Sequence, residues 1–495
     1  MESHSEGTSP NSNYEIIIKG KKGCYTLNPF QSTSSKQFTL PECTSIIPGK
    51  KYIAILNNGS LSLYSTKDLS LLKTFSNLEQ VKAVDFSPKE KYLSLIQKPP
   101  IPDNLKVIDL ETFETAFLFT SQTNPTTQWP QLIFDKNEEL IFRHVKTTID
   151  IYKINPETKA QTEYGHVENA IAFEIAQYTT NKDEHLNALL IGKVVNLSAK
   201  SKKCYFSMYN LDNLVKPLKE MDIALTDNMK IKLSGDNKHI LVLSTNNNTS
   251  NQSYYGNSTL YYTDIESLKF TKFVLPEGPI HDFSWCPNGE TFIVCAGHLP
   301  SKTALYDKTG KKLSDICTGK FNRAFISPDS RLVALGGFGS LGGDIEIYDI
   351  SNSNQCKLIG KSNIFCCVDF YWSYDSKFIL GSVLSKRVKV DNEYRILKYN
   401  GEEVIVDKKV GEIYECMWVY KTDFNYDQFD IEVNSKSLEK KISDNKGGIK
   451  LTSTLGTIDF SSSSKTSAPS GGIVGLGPTK KKKKKKGGQG GQGQG

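Results

Sequence analysis

Between Tyr14 and Asn434 the apolar residues of this chain fall in short alternating bursts, and one phrase recurs. An alternating burst with an aromatic runs into a turn of Ser or Cys, Pro, Asp or Asn, and Gly or Ser. A β-branched run follows. Clear copies are Val84-Asp85-Phe86-Ser87-Pro88 before Tyr92–Ile96, and Phe283-Ser284-Trp285-Cys286-Pro287-Asn288-Gly289 before Phe292–Cys295. Two more are Ala324-Phe325-Ile326-Ser327-Pro328-Asp329-Ser330 before Leu332–Leu335, and Val368–Ser376 before Phe378–Leu380. Alternation with period two predicts strands. Pro fixes φ and Gly or Asn accepts the turn dihedrals, so each phrase predicts a strand, a turn and a strand. A further strand closing on an aromatic or apolar residue, often with Asp, follows most copies, as in Ala304–Asp307 and Ile345–Asp349. Trp-Asp holds this place in WD-type repeats; here it is mostly Tyr-Asp, Ile-Asp or Thr-Asp.

Turn anchors near 49, 88, 135, 182, 235, 287, 328, 374 and 420 lie 39–53 residues apart. Four-stranded propeller blades need about 40–50 residues each. The anchors near 182 and 420 follow from spacing, so the repeat predicts eight or nine blades. The N-terminal strand Glu15–Lys19 is expected to complete the last blade, leaving no long sheet edge exposed. Thr245–Asn257, rich in Asn and Ser, reads as a surface loop insertion. The fold class is all-β, a WD-repeat-like β-propeller, with nine blades as the leading count. A polar leader over 1–13, a propeller over 14–434 and a Ser/Gly/Lys-rich tail over 435–495 make up the expected organisation. Leader and tail lack the apolar surface to offset ordering entropy and are expected to be disordered.

Charge changes the picture at one point only. The 495 residues carry a formal net charge of +7, and the run Lys480–Lys486 supplies as much by itself, so the remainder is balanced. A basic nucleic-acid-binding body is therefore not predicted; a basic tail is. No apolar run approaches the ~18 residues of a membrane span. Met1–Asn13 lacks the apolar core of a secretory signal, so a cytoplasmic chain with no membrane partner is expected. The 10 cysteines show no C-x-x-C spacing and read as reduced core residues.

Catalytic and cofactor signatures are weak. Gly337-Phe338-Gly339-Ser340-Leu341-Gly342 matches G-x-G-x-x-G, but the following Asp344–Asp349 alternates as a strand, whereas a dinucleotide site needs a helix. The glycines therefore predict a tight hairpin or bulge. The sequence has no P-loop, and its seven histidines show no metal-ligand spacing; His281 reads as a structural hydrogen-bonding residue. No enzyme, cofactor or metal is expected. Lys480, Lys481, Lys482, Lys483, Lys484, Lys485 and Lys486 would attract a polyanion such as RNA, or serve as a solubilising or import-like segment. A second cluster, Lys386-Arg387-Val388-Lys389, places cations on a strand or a blade rim and reads as a solvated face or an RNA contact.

From His281 to about Glu403 the chain resembles the eukaryotic translation initiation factor 2A family. The residues that carry the likeness are Phe283–Gly289, Thr318-Gly319-Lys320-Phe321-Asn322-Arg323, Leu335–Gly343 and Arg387-Val388-Lys389-Val390-Asp391-Asn392-Glu393-Tyr394. The resemblance implies a nine-bladed propeller that binds the small ribosomal subunit. It also implies GTP-independent, codon-dependent placement of initiator methionyl-tRNA on selected mRNAs, alongside other initiation factors. Arg323, Lys386, Arg387, Lys389 and the lysine run are the expected ribosome or RNA contacts. The competing reading is a propeller scaffold subunit of a larger initiation or ribosome-assembly complex.

Overall fold

The computed structural model describes residues 14–439, apart from short internal stretches of which the longest are 32–37, 122–131, 180–184, 247–256 and 420–428. The expectations for 1–13, for most of the Thr245–Asn257 insertion and for the lysine run lie outside the described residues.

Among the described residues thirty-six strands form nine antiparallel four-stranded sheets. Eight are consecutive in the chain: Ser45–Leu78 (blade 1), Val81–Phe119, Leu132–Val167, Ala170–Ile223, Asn228–Lys272, Ile280–Gly319, Arg323–Asn363 and Asp369–Asp407 (blade 8). Blade 9 joins the two ends. Its inner strand is Ile413–Trp418, and Ile16–Gly20, Gly23–Leu27 and Phe38–Leu40 complete it. Ile16 stands opposite Trp418, and Ile18 opposite Cys416. Eight anchors mark turns between first and second strands. The ninth, near 420, instead follows the last inner strand, whose neighbour comes from the N-terminus.

Period-two alternation explains the core. In blade 2, Leu93 and Leu95 join the cluster shared with blade 1, while Tyr92 and Ile96 join the one shared with blade 3. Each blade divides its apolar side chains in this way, and nine clusters, one per blade boundary, carry packing around the ring. The last, with Ile17, Cys24, Ile46 and Ile55, joins blade 9 to blade 1.

The turns add a polar seam. Ser87, Ser234, Ser327 and Ser373 each accept the N–H of the residue that opens the next strand through Oγ, at 2.9–3.0 Å. Three residues after each serine the chain takes φ of +57° to +65°, at Glu90, Asn237, Ser330 and Ser376. A non-glycine residue there costs about 1 kcal/mol, and its side chain reaches the preceding blade. Glu90 accepts Lys51 N–H (2.7 Å), Ser330 accepts Asn288 N–H (2.9 Å) and Ser376 accepts Asp329 N–H (3.1 Å). Inner-strand tryptophans do the same deeper in. Trp285, Trp372 and Trp418 donate Nε1–H to the carbonyls of Lys232, Phe325 and Tyr371 in the preceding blade.

The chain stays attached beyond the expected boundary at 434. Phe429, Ile431 and Val433 pack on the cluster between blades 7 and 8. Asn434 N–H donates to Ile359 O (2.8 Å), and the short helix Ser435–Glu439 is held where Ser437 Oγ accepts Lys361 N–H (3.1 Å).

Candidate nucleic-acid interface

Antiparallel strands send alternate connections to opposite ends of a blade. Crossovers between blades and the hairpins between second and third strands therefore share one face of the disc. Three segments singled out in the sequence are such connections in neighbouring blades: the crossover Lys320–Asn322, the hairpin Gly337–Gly343 of blade 7 and the hairpin Leu384–Asn392 of blade 8.

They are tied together by side chains of the same segments. Asn322 Nδ2 donates to Phe338 O (3.0 Å) while its Oδ1 accepts Phe338 N–H (2.9 Å), stapling the crossover to the blade 7 hairpin. Phe338 fills the space beneath, 5.7 Å from the Phe325 ring and 5.5 Å from that of Phe370. The glycines do make a tight hairpin: Gly337 N–H meets Asp344 O, Gly343 N–H meets Gly337 O, and Gly339 and Gly343 take φ of +77° and +80°. A strand follows, as expected, and no helix N-terminus is present for a phosphate. Arg387 Nη2 donates to Gly339 O (2.9 Å), linking the blade 8 loop to the blade 7 hairpin. Asn392 fixes the other end of that loop, donating to Val388 O and accepting Ile413 N–H from blade 9.

The cations differ in what holds them. Arg323, exposed at the first position of its strand, has no hydrogen-bond or ion-pair partner among the described residues. Arg387 is exposed and positioned by one carbonyl, leaving its remaining donors to solvent. Lys386 pairs with Asp369 at 3.3 Å. Burial pushes the Asp369 carboxyl up, and Lys386 opposes that shift. Lys389 is exposed on the same loop, which is a hairpin connection and not a strand. The lysine run Lys480–Lys486 lies outside the described residues.

One neighbour was not readable in the sequence. Phe365, in the crossover from blade 7 to blade 8, is 57% exposed. Asn-Ile-Phe-Cys-Cys looks like core strand, and only the placement of the crossover turns its aromatic outward. His281 Nε2 meets Gly297 O at 2.8 Å. Among the described residues no group of three His, Cys, Asp or Glu is placed to hold a metal ion, and no helix is long and apolar enough to cross a membrane.

Comparison with known proteins bears on the same segments. Residues 222–416 match the family model "Eukaryotic translation initiation factor eIF2A". Eukaryotic translation initiation factor 2A of Schizosaccharomyces pombe is 29% identical over 377 residues, 73% of this chain and 63% of the relative; the chain thus spans less than two thirds of that relative's length. A component of eukaryotic translation initiation factor 3 from Lodderomyces elongisporus is 21% identical over 428 residues, 75% of this chain and 59% of that protein. A crystal structure described as that of the eukaryotic initiation factor superposes with a TM-score of 0.69 at 24% identity, covering 82% of this chain and 98% of its own, and so shares the fold. The matched region contains all three connections that build the cationic face, and over that region the chain is similar to the eukaryotic translation initiation factor 2A family.

Proposed function

We propose that this protein is a non-enzymatic, cytoplasmic translation initiation factor that docks on the small ribosomal subunit. In this reading it promotes GTP-independent, codon-dependent placement of initiator methionyl-tRNA on selected mRNAs. The observation that carries the docking is the face just described. Three family-matching connections converge there and leave Arg323 and Arg387 with donors free to solvent, on the same face as the exposed Phe365. Guanidinium forks suit phosphate oxygens, and an exposed ring suits an unstacked base, so RNA is the partner that this face fits. The rigid blades supply position. Sequence preference would have to come from elsewhere, because phosphate contacts carry none.

The double charge reversal Arg323→Glu/Arg387→Glu should weaken co-sedimentation with small subunits by about tenfold or more. Co-migration equal to that of the unaltered protein would remove this face from the interface. The lysine run is assigned a separate, nonspecific contribution. Removing Lys480–Lys486 should weaken RNA binding and lower the salt slope by up to about 5, from ~0.7 per single-strand phosphate. An unchanged slope would leave the run without an RNA role.

The likeness to a component of initiation factor 3 favours a second reading, a scaffold within a larger protein complex. Small-subunit RNA and initiator tRNA co-purifying with the chain would support the first; a stoichiometric protein assembly without them, the second.

A further inference from the structure

Blade 4 differs from its neighbours in reach. Its second and third strands, His185–Ser198 and Ser201–Asn210, outrun the strands on either side of them. The ladder with the inner strand ends where Ala170 stands opposite Lys193 and Val194 N–H donates to Asn169 O (3.0 Å). The ladder with the outer strand ends at Cys204, opposite Ile223. Beyond these points the two long strands pair with each other alone among the described residues: Val195 with Lys203, Asn196 with Lys202, and Ser198 with Ser201. At about 3.3 Å per residue, a two-stranded ribbon thus stands roughly 10 Å past the four-stranded sheet. In blade 1, by contrast, the inner strand still faces Leu56, and the hairpin closes one pair later at Asn57 and Ser60.

The ribbon joins a second to a third strand, so it rises from the face that carries Arg323 and Arg387. Its charge has one sign. Residues 193–203 hold four lysines, no acid and no aromatic ring. Lys193, at the base, lies 3.8 Å from Glu220 and over the Tyr209 ring. Lys202 and Lys203 are exposed and have no hydrogen-bond or ion-pair partner among the described residues. Side chains alternate across a strand pair, so Lys202 shares one surface of the ribbon with Asn196, and Lys203 the opposite one with Val195. Leu197, next to Asn196, is exposed as well.

We propose that this ribbon lies in the minor groove of an RNA duplex, with Lys202 and Lys203 on the phosphates of its two strands. A two-stranded ribbon is thin enough to enter a nucleic-acid groove. A-form RNA offers a wide, shallow minor groove edged by both backbones and lined with 2′-hydroxyls. Cations on both surfaces of the ribbon fit the two backbones, and the Asn196 amide has a donor and an acceptor for the hydroxyls. Single strands are gripped by stacking on aromatic rings, which the ribbon lacks. Only the source of the duplex, small-subunit RNA, rests on the function proposed above; the groove contact stands or falls by itself.

The full chain is titrated by fluorescence anisotropy with an RNA duplex of about 16 base pairs and with one of its strands alone, at several salt concentrations. Lys202→Glu/Lys203→Glu should bind the duplex about tenfold more weakly, with a salt slope lower by about 2, and keep its affinity for the single strand. Equal duplex binding by the variant overturns the proposal and leaves the lysines to guard the open edges of the ribbon. An equal loss toward both RNAs also overturns it, as the mark of a general polyanion contact. Both residues are exposed beyond the sheet, so the urea midpoint should not move. If the reversed charges prevent folding, Lys202→Ala/Lys203→Ala decides by the same duplex-to-strand comparison. Co-sedimentation with small subunits separates this proposal from the docking face. Loss in the ribbon variant but not in Arg323→Glu/Arg387→Glu would remove the blade 7 and 8 connections from the interface and keep the ribbon. Loss in the ribbon variant with duplex affinity unchanged would assign the ribbon to a ribosomal protein and overturn the groove contact.

Discussion

A chain lacking residues 1–20 should lose its cooperative unfolding transition. The strand Ile16–Gly20 is paired on both sides, with Ile413–Trp418 and with Gly23–Leu27, so its removal strands the last inner strand without a neighbour. Ile16, Ile17 and Ile18 are fully buried. Ile16 and Ile18 pack between blades 8 and 9, and Ile17 between blades 9 and 1. At about 1.5–3 kcal/mol per buried aliphatic side chain, the three represent about 5–9 kcal/mol, comparable with the ~5–15 kcal/mol that holds a whole domain. Two blade boundaries would open at once, and the exposed edges would invite association. A point variant isolates the same contact. Ile17→Asp sets an unpaired carboxyl in an apolar boundary and should lower stability by about 3 kcal/mol or more. Urea denaturation followed by circular dichroism reads both. A truncated chain with the original midpoint and slope would mean that the ring does not depend on its closing strand.

Most blades were legible because their turn chemistry is local. Pro and Asn or Asp in Cys286-Pro287-Asn288-Gly289 and Ser327-Pro328-Asp329-Ser330 act within four residues, and both turns fall where these residues place them. What escaped was action at a distance. Glu90 looks like an ordinary surface acid, yet it takes φ of +57° and binds the turn of the blade before it, 39 residues earlier in the chain. Blade 4 was legible from spacing alone, through the anchor near 182. Its strands His185–Ser198 and Ser201–Asn210 are unusually long, and without a Pro or Gly at 182 nothing local announces the turn. The attachment of Phe429–Glu439 was hidden because its apolar residues are few and meet a groove that only the assembled blades 7 and 8 create. The candidate face was legible in its parts. Gly337–Gly342 reads as a hairpin, and Arg323 and Arg387 stood out by resemblance. That Arg387 reaches Gly339, and that Asn322 staples Phe338, follows only from the order of blades around the ring.

Gly343→Ala should unfold far more readily than Gly342→Ala, although the two glycines are adjacent. At Gly343 φ is +80°, and an added Cβ would lie 2.3 Å from Ile364 O, 2.7 Å from its carbon and 2.9 Å from Phe365 Cα. All three obstacles are backbone, so no side chain can swing aside. Left-handed strain of about 1 kcal/mol and displacement of the crossover together should cost about 3 kcal/mol or more. At Gly342 the nearest atom is Asp344 Oδ2 at 4.0 Å, and φ is not in the left-handed region. Alanine there should stay within about 1 kcal/mol of the unaltered chain. The pair also separates stability from docking. Gly343 N–H meets Gly337 O, and its carbonyl accepts Ile364 N–H at 3.0 Å, so a shift at this residue moves both the Gly339 carbonyl that holds Arg387 and the crossover that presents Phe365. Below its unfolding midpoint Gly343→Ala should therefore already bind small subunits more weakly than Gly342→Ala. If the two variants denature at the same urea concentration, the hairpin yields to the extra methyl, and Arg387 does not owe its place to a rigid loop.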